Sequence, residues 1–439
     1  MRDLLLMAVT ALCSTRALID PTFGLFAYLA YGTASPQSFM WGIAKTFPHS
    51  KLIAAATLAG LLLSKISNLP RQREPLLLVF IWLMFGLSTA FAFDPEHAVD
   101  DLAVISKVFL MAFVAMHLVN SEKKFHLFMK VIALGLGVHA VKIGIFVIAT
   151  GAQGAVQGPE NTYLAANNTI GMALAMNVPL LYYLSKVEER KYLRWLMWVM
   201  MGLSYPAVVG TFARGAWVGL AAVSLLLVIK RKRKVFGLAA AGVLLIGAVI
   251  GLPRLVSKPV VERYDTLVNY EEDNSAESRF WNWEFCRRIG MAHPLTGAGF
   301  KFYSPSLYQT YYPEFVQRWG EGKVWSCHNM WLSIFAEHGL VALILWLSLL
   351  GGAFLSLRRI RKVARSHGEA AWVLPYTDMI QVSLVGFMIM GTFVDFPYYE
   401  IYYQLLAAVV IMKKLVQVTV AKAPFPAVSP LVRRPVLIS

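Results

Sequence analysis

Apolar residues run along this chain in thirteen blocks separated by short polar connections. The blocks lie near Leu4 to Leu12, Phe23 to Tyr31, Leu52 to Ile66, Pro75 to Phe93, Leu102 to Val119, Phe125 to Thr150, Thr169 to Leu184, and Tyr192 to Val209. They continue at Ala216 to Ile229, Val235 to Leu252, Met330 to Leu357, Met379 to Val394 and Ile401 to Met412. A helix needs roughly 20 apolar residues to cross a bilayer. The first two blocks fall well short of that, with Arg16, Asp20 and Pro21 between them, and read as one broken crossing or a re-entrant pair. The pattern therefore predicts an all-α polytopic membrane protein with about twelve transmembrane helices.

The connections alternate in charge. Lys65, Arg71 and Arg73 share one; Lys123 and Lys124 the next but one; then come Lys186, Arg190, Lys191 and Arg194, the run from Lys230 to Lys234, and Arg358, Arg359, Arg361, Lys362 and Arg365. Lys413 and Lys414 follow the last block. Basic loops stay cytoplasmic, so the intervening ones face outward. These hold Asp94 to Asp101, the stretch from Gly151 to Asn168, Arg214, a long loop from Pro253 to Cys327, and Asp395 to Glu400. The chain divides into an N-terminal bundle (1–252), a large outer loop (253–328), C-terminal helices (329–420) and a cytoplasmic tail (421–439).

Composition agrees with this layout. With 57% hydrophobic and 15% charged residues over 439 positions, there is too little polar surface to coat a soluble globule. The net charge of +16 sits in short clusters between apolar blocks, which argues for helix orientation and against nucleic-acid binding.

Candidate chemistry lies on the outer side. The sequence has no Walker loop, His-Glu-x-x-His, Cys-x-x-Cys pair or Asp-x-Asp motif, which disfavours nucleotide-driven or metal-dependent chemistry and predicts neither cofactor nor metal. Arg214 lies in Thr211-Phe212-Ala213-Arg214-Gly215 between two apolar blocks. It reads either as a snorkelling anchor or as a cation held for an anion. Arg279 falls in the first turn of an amphipathic helix capped by Asn274 or Ser275, with an apolar face at Phe280, Trp283 and Ile289 and with Trp281 and Trp283 at headgroup depth. A solvated arginine paired with Asp273 or Glu277 explains it equally well; Arg287 and Arg288 read as surface or phospholipid contacts.

His328 precedes Asn329, which can cap a helix beginning at Met330. A helix N-terminus favours the neutral imidazole that can accept a proton, although a lone interfacial histidine is often structural. Glu337 and His338 read as bundle packing. Lys142, beside His139 within an apolar block, is either a buried structural lysine or a further cation for a lipid site. Outer-loop aromatics such as Tyr264, Tyr270, Tyr303, Tyr308, Tyr312 and Trp325 suit headgroups or sugars, and none is assigned. Cys286 and Cys327 share the outer loop and are free to pair or to remain thiols.

His328-Asn329, followed after nine residues by Gly339, resembles the signature of the bacterial O-antigen ligase family. Ala213-Arg214-Gly215-Ala216, Arg279-x-x-x-Trp283 and His293-Pro294-Leu295-Thr296-Gly297-Ala298-Gly299-Phe300 are similar to the core that family shares with O-antigen polymerases. Met1-Arg2-Asp3-Leu4-Leu5-Leu6, Gly158-Pro159, Asn167-Asn168 and Ala336-Glu337-His338-Gly339-Leu340 resemble a subgroup, the exosortase-associated O-glycosylation ligases. The resemblance implies a GT-C type, inverting, metal-independent glycosyltransferase of the inner membrane with its site facing the periplasm. Its donor would be O-antigen on undecaprenyl diphosphate and its acceptor a hydroxyl of the lipid A core. His328 would be the base, Arg214 and Arg279 would hold the diphosphate, and Lys142 and Asn329 would support them. An O-antigen polymerase or protein O-glycan ligase is the alternative; a lipid-linked-glycan transporter fits less well, because the distinctive groups converge on one side.

Overall fold

The computed structural model describes residues 1–64, 73–230 and 274–422. Outside the described residues lie Lys65 and Arg71, the run from Arg231 to Lys234, the expected span Val235 to Leu252, the first part of the long loop with Tyr264 and Tyr270, and the tail from Ala423.

Every regular element among the described residues is helical. The N-terminal part comprises α1 (Arg2–Ile19), α2 (Pro21–Ala34), α3 (Ile43–Thr46), α4 (His49–Leu63), α5 (Arg73–Ala90), α6 (Pro95–Leu118), α7 (Glu122–Thr150), α8 (Asn167–Val187), α9 (Lys191–Val209) and α10 (Arg214–Ile229). The outer loop contributes α11 (Asn274–Ala292), α12 (Pro305–Tyr311) and α13 (Pro313–Trp319). Last come α14 (Met330–Ser366), α15 (Leu374–Gly391) and α16 (Glu400–Lys422).

Six helical segments among the described residues are long and apolar enough to cross a membrane: α5, α7, α8, α14, residues Gly368–Gly391 and α16. The shorter α4 and α10 are apolar too, and the expected span from Val235 to Leu252 lies outside the described residues.

The short first two blocks become two helices longer than their apolar runs, because Asp20 serves both. It ends α1 and then caps α2, its carboxylate accepting from the amides of Thr22 (3.0 Å) and Phe23 (3.2 Å), with Pro21 in the first helical position. Both helices pack on α4. Enclosure is greatest around α8, which is flanked by α7, α9, α10 and α15. Polar side chains knit it to its neighbours: Asn177 donates to the Ala133 carbonyl (3.0 Å) and Ser383 to that of Met176 (2.7 Å).

The feature that positions the site is a break in α14. Gly339 has φ 80° and ψ 179°, so the helix stops and restarts there. The freed backbone groups pair with the loop from His293 to Phe300. Ala298 N–H donates to Ala336 O (2.8 Å), Gly299 N–H to Glu337 O (2.9 Å) and Leu340 N–H to Pro294 O (2.7 Å). Ser88 of α5 adds a bond to Glu337 O (2.5 Å). Broken backbone at membrane depth survives only where protein groups satisfy it in this way. Contact is close enough to demand glycine on both sides. A Cβ on Gly297 would lie 2.3 Å from the Glu337 carbonyl carbon, and one on Gly339 would lie 2.6 Å from Pro294 O.

Beneath the outer loop is a second, smaller core of Phe285, Cys286, Ile289, Tyr308, Phe315 and Cys327 with their neighbours. The buried face of α11 is Asn282, Phe285, Cys286 and Ile289, correcting the expected face at Phe280, Trp283 and Ile289. Phe280 points outward, 57% exposed. Asn282 fits the core because its side-chain oxygen accepts from the Tyr308 hydroxyl (3.3 Å).

Candidate functional site

Four separate segments supply the site. The first is the turn into α10. Thr211 is held there by its own hydroxyl, which donates to Val208 O (2.7 Å), and by Asn167 at the start of α8, whose amide donates to Thr211 O (3.0 Å). Phe212 adopts φ 56°, and Arg214 follows as the first residue of α10, 6% exposed. A guanidinium so enclosed, at a helix end, is not a snorkelling anchor.

The second segment is α11, where Arg279 is half-buried. Glu277, a partner for Arg279 in the solvated reading, instead lies 3.6 Å from Arg318. Arg287 and Arg288 both pair with Glu284 (2.8 and 2.9 Å), and Arg288 also with Glu314 (3.2 Å), so these two tie the loop together. Their positive charge, that of Arg287 first, pulls the Glu284 carboxyl down to about 2.

Third is the run into α14. Asn329 caps that helix, its side-chain oxygen accepting from the amides of Trp331 (3.0 Å) and Leu332 (3.2 Å). His328, immediately before the cap, takes φ 48°. A left-handed conformation costs a side-chain-bearing residue of order 1 kcal/mol or more and persists where the surroundings over-determine it. Here the surroundings include a disulfide. Cys327 is bonded to Cys286, two turns along α11 from Arg279, which resolves the open question about these two cysteines. The Cys327 amide also donates to the Tyr303 hydroxyl (3.3 Å).

The fourth segment is the connection between α15 and α16, which the sequence marks only as an outer loop. Asp395 Oδ1 lies 3.9 Å from His328 Nδ1, with the two side chains 23% and 38% exposed. This connection is wedged among the other elements. Thr392 accepts from the Trp331 indole (3.3 Å), and Phe393 packs so closely on α10 that a Cβ on Gly215 would lie 2.8 Å from it. Tyr398 anchors the far end, bonded to Glu337 and to His338 Nε2 (2.5 Å). Glu337 also accepts from the Lys301 amide (3.1 Å). Glu337 and His338 thus act in packing, as expected.

The first turns of α8, α10 and α14 lie at this end of the bundle, each carrying the partial positive charge of a helix start. Arg214 adds a full charge at the start of α10, and Arg279 lies close enough for its charge to be felt at the imidazole. His328 binds its proton less tightly than an ordinary imidazole. Burial is the main cause; Arg279 acts in the same direction and the Asp395 carboxylate opposes both. The result is an imidazole biased toward its neutral form, within reach of the Arg279 charge.

Lys142 lies on α7. Its ammonium lies over the Phe39 ring (4.6 Å), in the lining of a cavity of about 510 Å³ shared with His139, Gly158 and Pro159. The loop aromatics belong chiefly to the second core: Tyr308 is fully buried and stacked on Phe285 (3.7 Å), while Trp281 stacks on Tyr312 (5.4 Å). Trp281 is thus partly buried against this core.

Residues 199–347 match a family model described as O-antigen ligase, a stretch that contains Arg214, Arg279, His328 and Asn329. Residues 1–189 match a family of unknown function. No curated protein matches the chain.

Proposed function

The chain belongs to the O-antigen ligase superfamily, and from that premise we propose that it transfers a glycan from undecaprenyl diphosphate to a sugar hydroxyl of the lipid A core, at the periplasmic face of the inner membrane. The observation that carries this reading is that His328 feels two opposite charges, the Asp395 carboxylate 3.9 Å from Nδ1 and the guanidinium of Arg279. With Nδ1 turned to Asp395, Nε2 is the nitrogen left to accept a proton. The acceptor hydroxyl gives that proton to Nε2 as its oxygen bonds to the anomeric carbon, and the bond from that carbon to the diphosphate oxygen breaks. The electron pair leaves with the diphosphate, whose growing charge is met by Arg214 and Arg279. Attack from the face opposite the leaving group inverts the anomeric configuration, and positive charge on the protein replaces a divalent ion.

Two features support the periplasmic side. The Cys286–Cys327 bridge belongs to an oxidising compartment, and the alternation of basic loops puts this end of the bundle outside. In this reading the chain is a GT-C type enzyme crossing the membrane about twelve times, with residues 253–328 as its periplasmic loop.

The test is reconstitution of the purified protein with undecaprenyl-diphosphate-linked glycan and rough lipopolysaccharide, in EDTA and without nucleotide. Product on the lipid A core is expected, and His328→Ala should lower turnover by roughly 10² to 10⁴-fold in folded protein. Glycan lengthened on the diphosphate lipid would make the protein a polymerase instead. Loss of activity in EDTA with recovery on adding a divalent ion would overturn the mechanism.

A further inference from the structure

The opposite end of α14 carries a second constellation. Arg358, Arg361, Lys362 and Arg365 recur at the three- and four-residue spacing that places side chains on one helix face, with Arg359 beside them. Together with Leu355 they line an open cavity of about 650 Å³. Sharing Leu355, Arg358 and Arg361 with it is a groove of about 600 Å³ between α14 and α15, whose remaining walls include Gly351, Phe354 and Leu357. An apolar trough therefore opens directly into a basic mouth.

The mouth is short of counter-charge. Asp378 is already shared by Arg361 and by Lys230 (2.6 Å). Among the described residues Arg358, Arg359, Lys362 and Arg365 meet no carboxylate. Like charges at these spacings repel, so their convergence calls for an external anion. Depth fits a lipid. From Met330, where α14 begins, to Arg358 is 28 residues, roughly 42 Å of helix at about 1.5 Å per residue, close to the thickness of a bilayer with its headgroup regions. The basic mouth thus lies where α14 leaves the acyl region, and Leu355, 56% exposed, lies on the boundary.

We propose that this trough and mouth bind one anionic phospholipid, with its phosphate among Arg358, Lys362 and Arg365 and an acyl chain along the groove past Gly351. Basic pockets between spanning helices bind acidic headgroups by this combination of charge and apolar surface. The site lies at the other end of α14 from His328 and is independent of the glycan reading.

Native mass spectrometry of the delipidated full-length protein, titrated with phosphatidylglycerol or phosphatidylcholine, tests it. Phosphatidylglycerol should be retained at least tenfold better than phosphatidylcholine. The triple variant R358Q/K362Q/R365Q should lose that preference; Arg361 is left in place to keep its pair with Asp378. Space around Gly351 is open, so Gly351→Leu should fold, fill the trough and cut retention several-fold with every cation present. Inorganic phosphate should not raise the unfolding temperature as phosphatidylglycerol does. Equal retention of the two lipids, or undiminished preference in the triple variant, would overturn the proposal. So would undiminished retention by Gly351→Leu, or stabilisation by inorganic phosphate equal to that by the lipid.

Discussion

Replacing Asp395 with asparagine tests whether this carboxylate assists the base. The side chain keeps its shape and loses its charge, so what changes in the proposed reaction is the attraction between a carboxylate and the imidazolium that forms when the acceptor hydroxyl gives up its proton. At 3.9 Å two unit charges attract by about 1 kcal/mol in bulk water and about 4 kcal/mol at an effective dielectric near 20. His328 is 38% exposed, so water screens the pair and about 2 kcal/mol is the appropriate figure. That corresponds to roughly a thirtyfold loss of kcat. The donor KM should hardly move, because Asp395 is not among the groups assigned to the diphosphate.

A second readout separates assistance from scaffolding. His328 already titrates below its ordinary 6.5 because of burial, with the Asp395 charge pulling it back up. Removing that charge makes the imidazole harder to protonate, so the acid limb of the kcat/KM profile, where the base takes a proton and activity falls, should move to lower pH. The assay is initial-rate transfer in proteoliposomes between pH 4.5 and about 8, the range in which a histidine titrates. A kcat within a factor of two of wild type with an unmoved limb would refute the reasoning; so would a limb displaced upward.

Arg279→Gln should move the same limb upward, since Arg279 helps keep His328 neutral, and should raise the donor KM; pH profiles of the variant check both. Arg214→Ala should lower kcat/KM by about ten- to a hundredfold, the loss of one charge-assisted contact worth about 1.5–3 kcal/mol, read in the same transfer assay. The double variant C286S/C327S opens a cross-link spanning 41 residues, for which chain entropy gives about 4 kcal/mol; a lower unfolding temperature together with a lower kcat is expected, since the bridge joins the helix of Arg279 to the residue before His328. Gly339→Ala must hold a side chain at φ 80° with its Cβ 2.6 Å from Pro294 O, and should lower the unfolding free energy by about 2 kcal/mol or more, measurable by thermal unfolding in detergent.

Block length and charge alternation were enough to read a helical membrane protein, because a spanning helix must be apolar over its whole length. Arg214, Arg279 and His328 stand out as candidates for the complementary reason: a fixed charge or an imidazole beside such a block is costly without a task. Asp395 does not. A single carboxylate in a short outer loop looks the same whether it caps, solvates or faces a base, and only folding brings it across 67 positions to His328. The break at Gly339 was equally hidden, since the apolar run continues through it and one glycine in a helix is ordinarily tolerated. On α11 the periodicity misled because Asn282 counts as polar in a pattern yet is buried with its hydrogen bond satisfied. Lys142 stands out in the sequence as a cation within an apolar block, but spacing along one helix does not say which neighbours it will meet.

The order in which these parts leave the ribosome has a consequence for the cell. Arg214 and Arg279 are synthesised well before His328, and Asp395 and Tyr398 follow it by 67 and 70 positions. Until that late stretch arrives, Glu337 and His338 lack the phenol that bridges them, and the imidazole has no carboxylate opposite it. A polypeptide arrested before α16 would hold both arginines and the histidine without the contacts that join them, so incomplete copies would lack the assembled site.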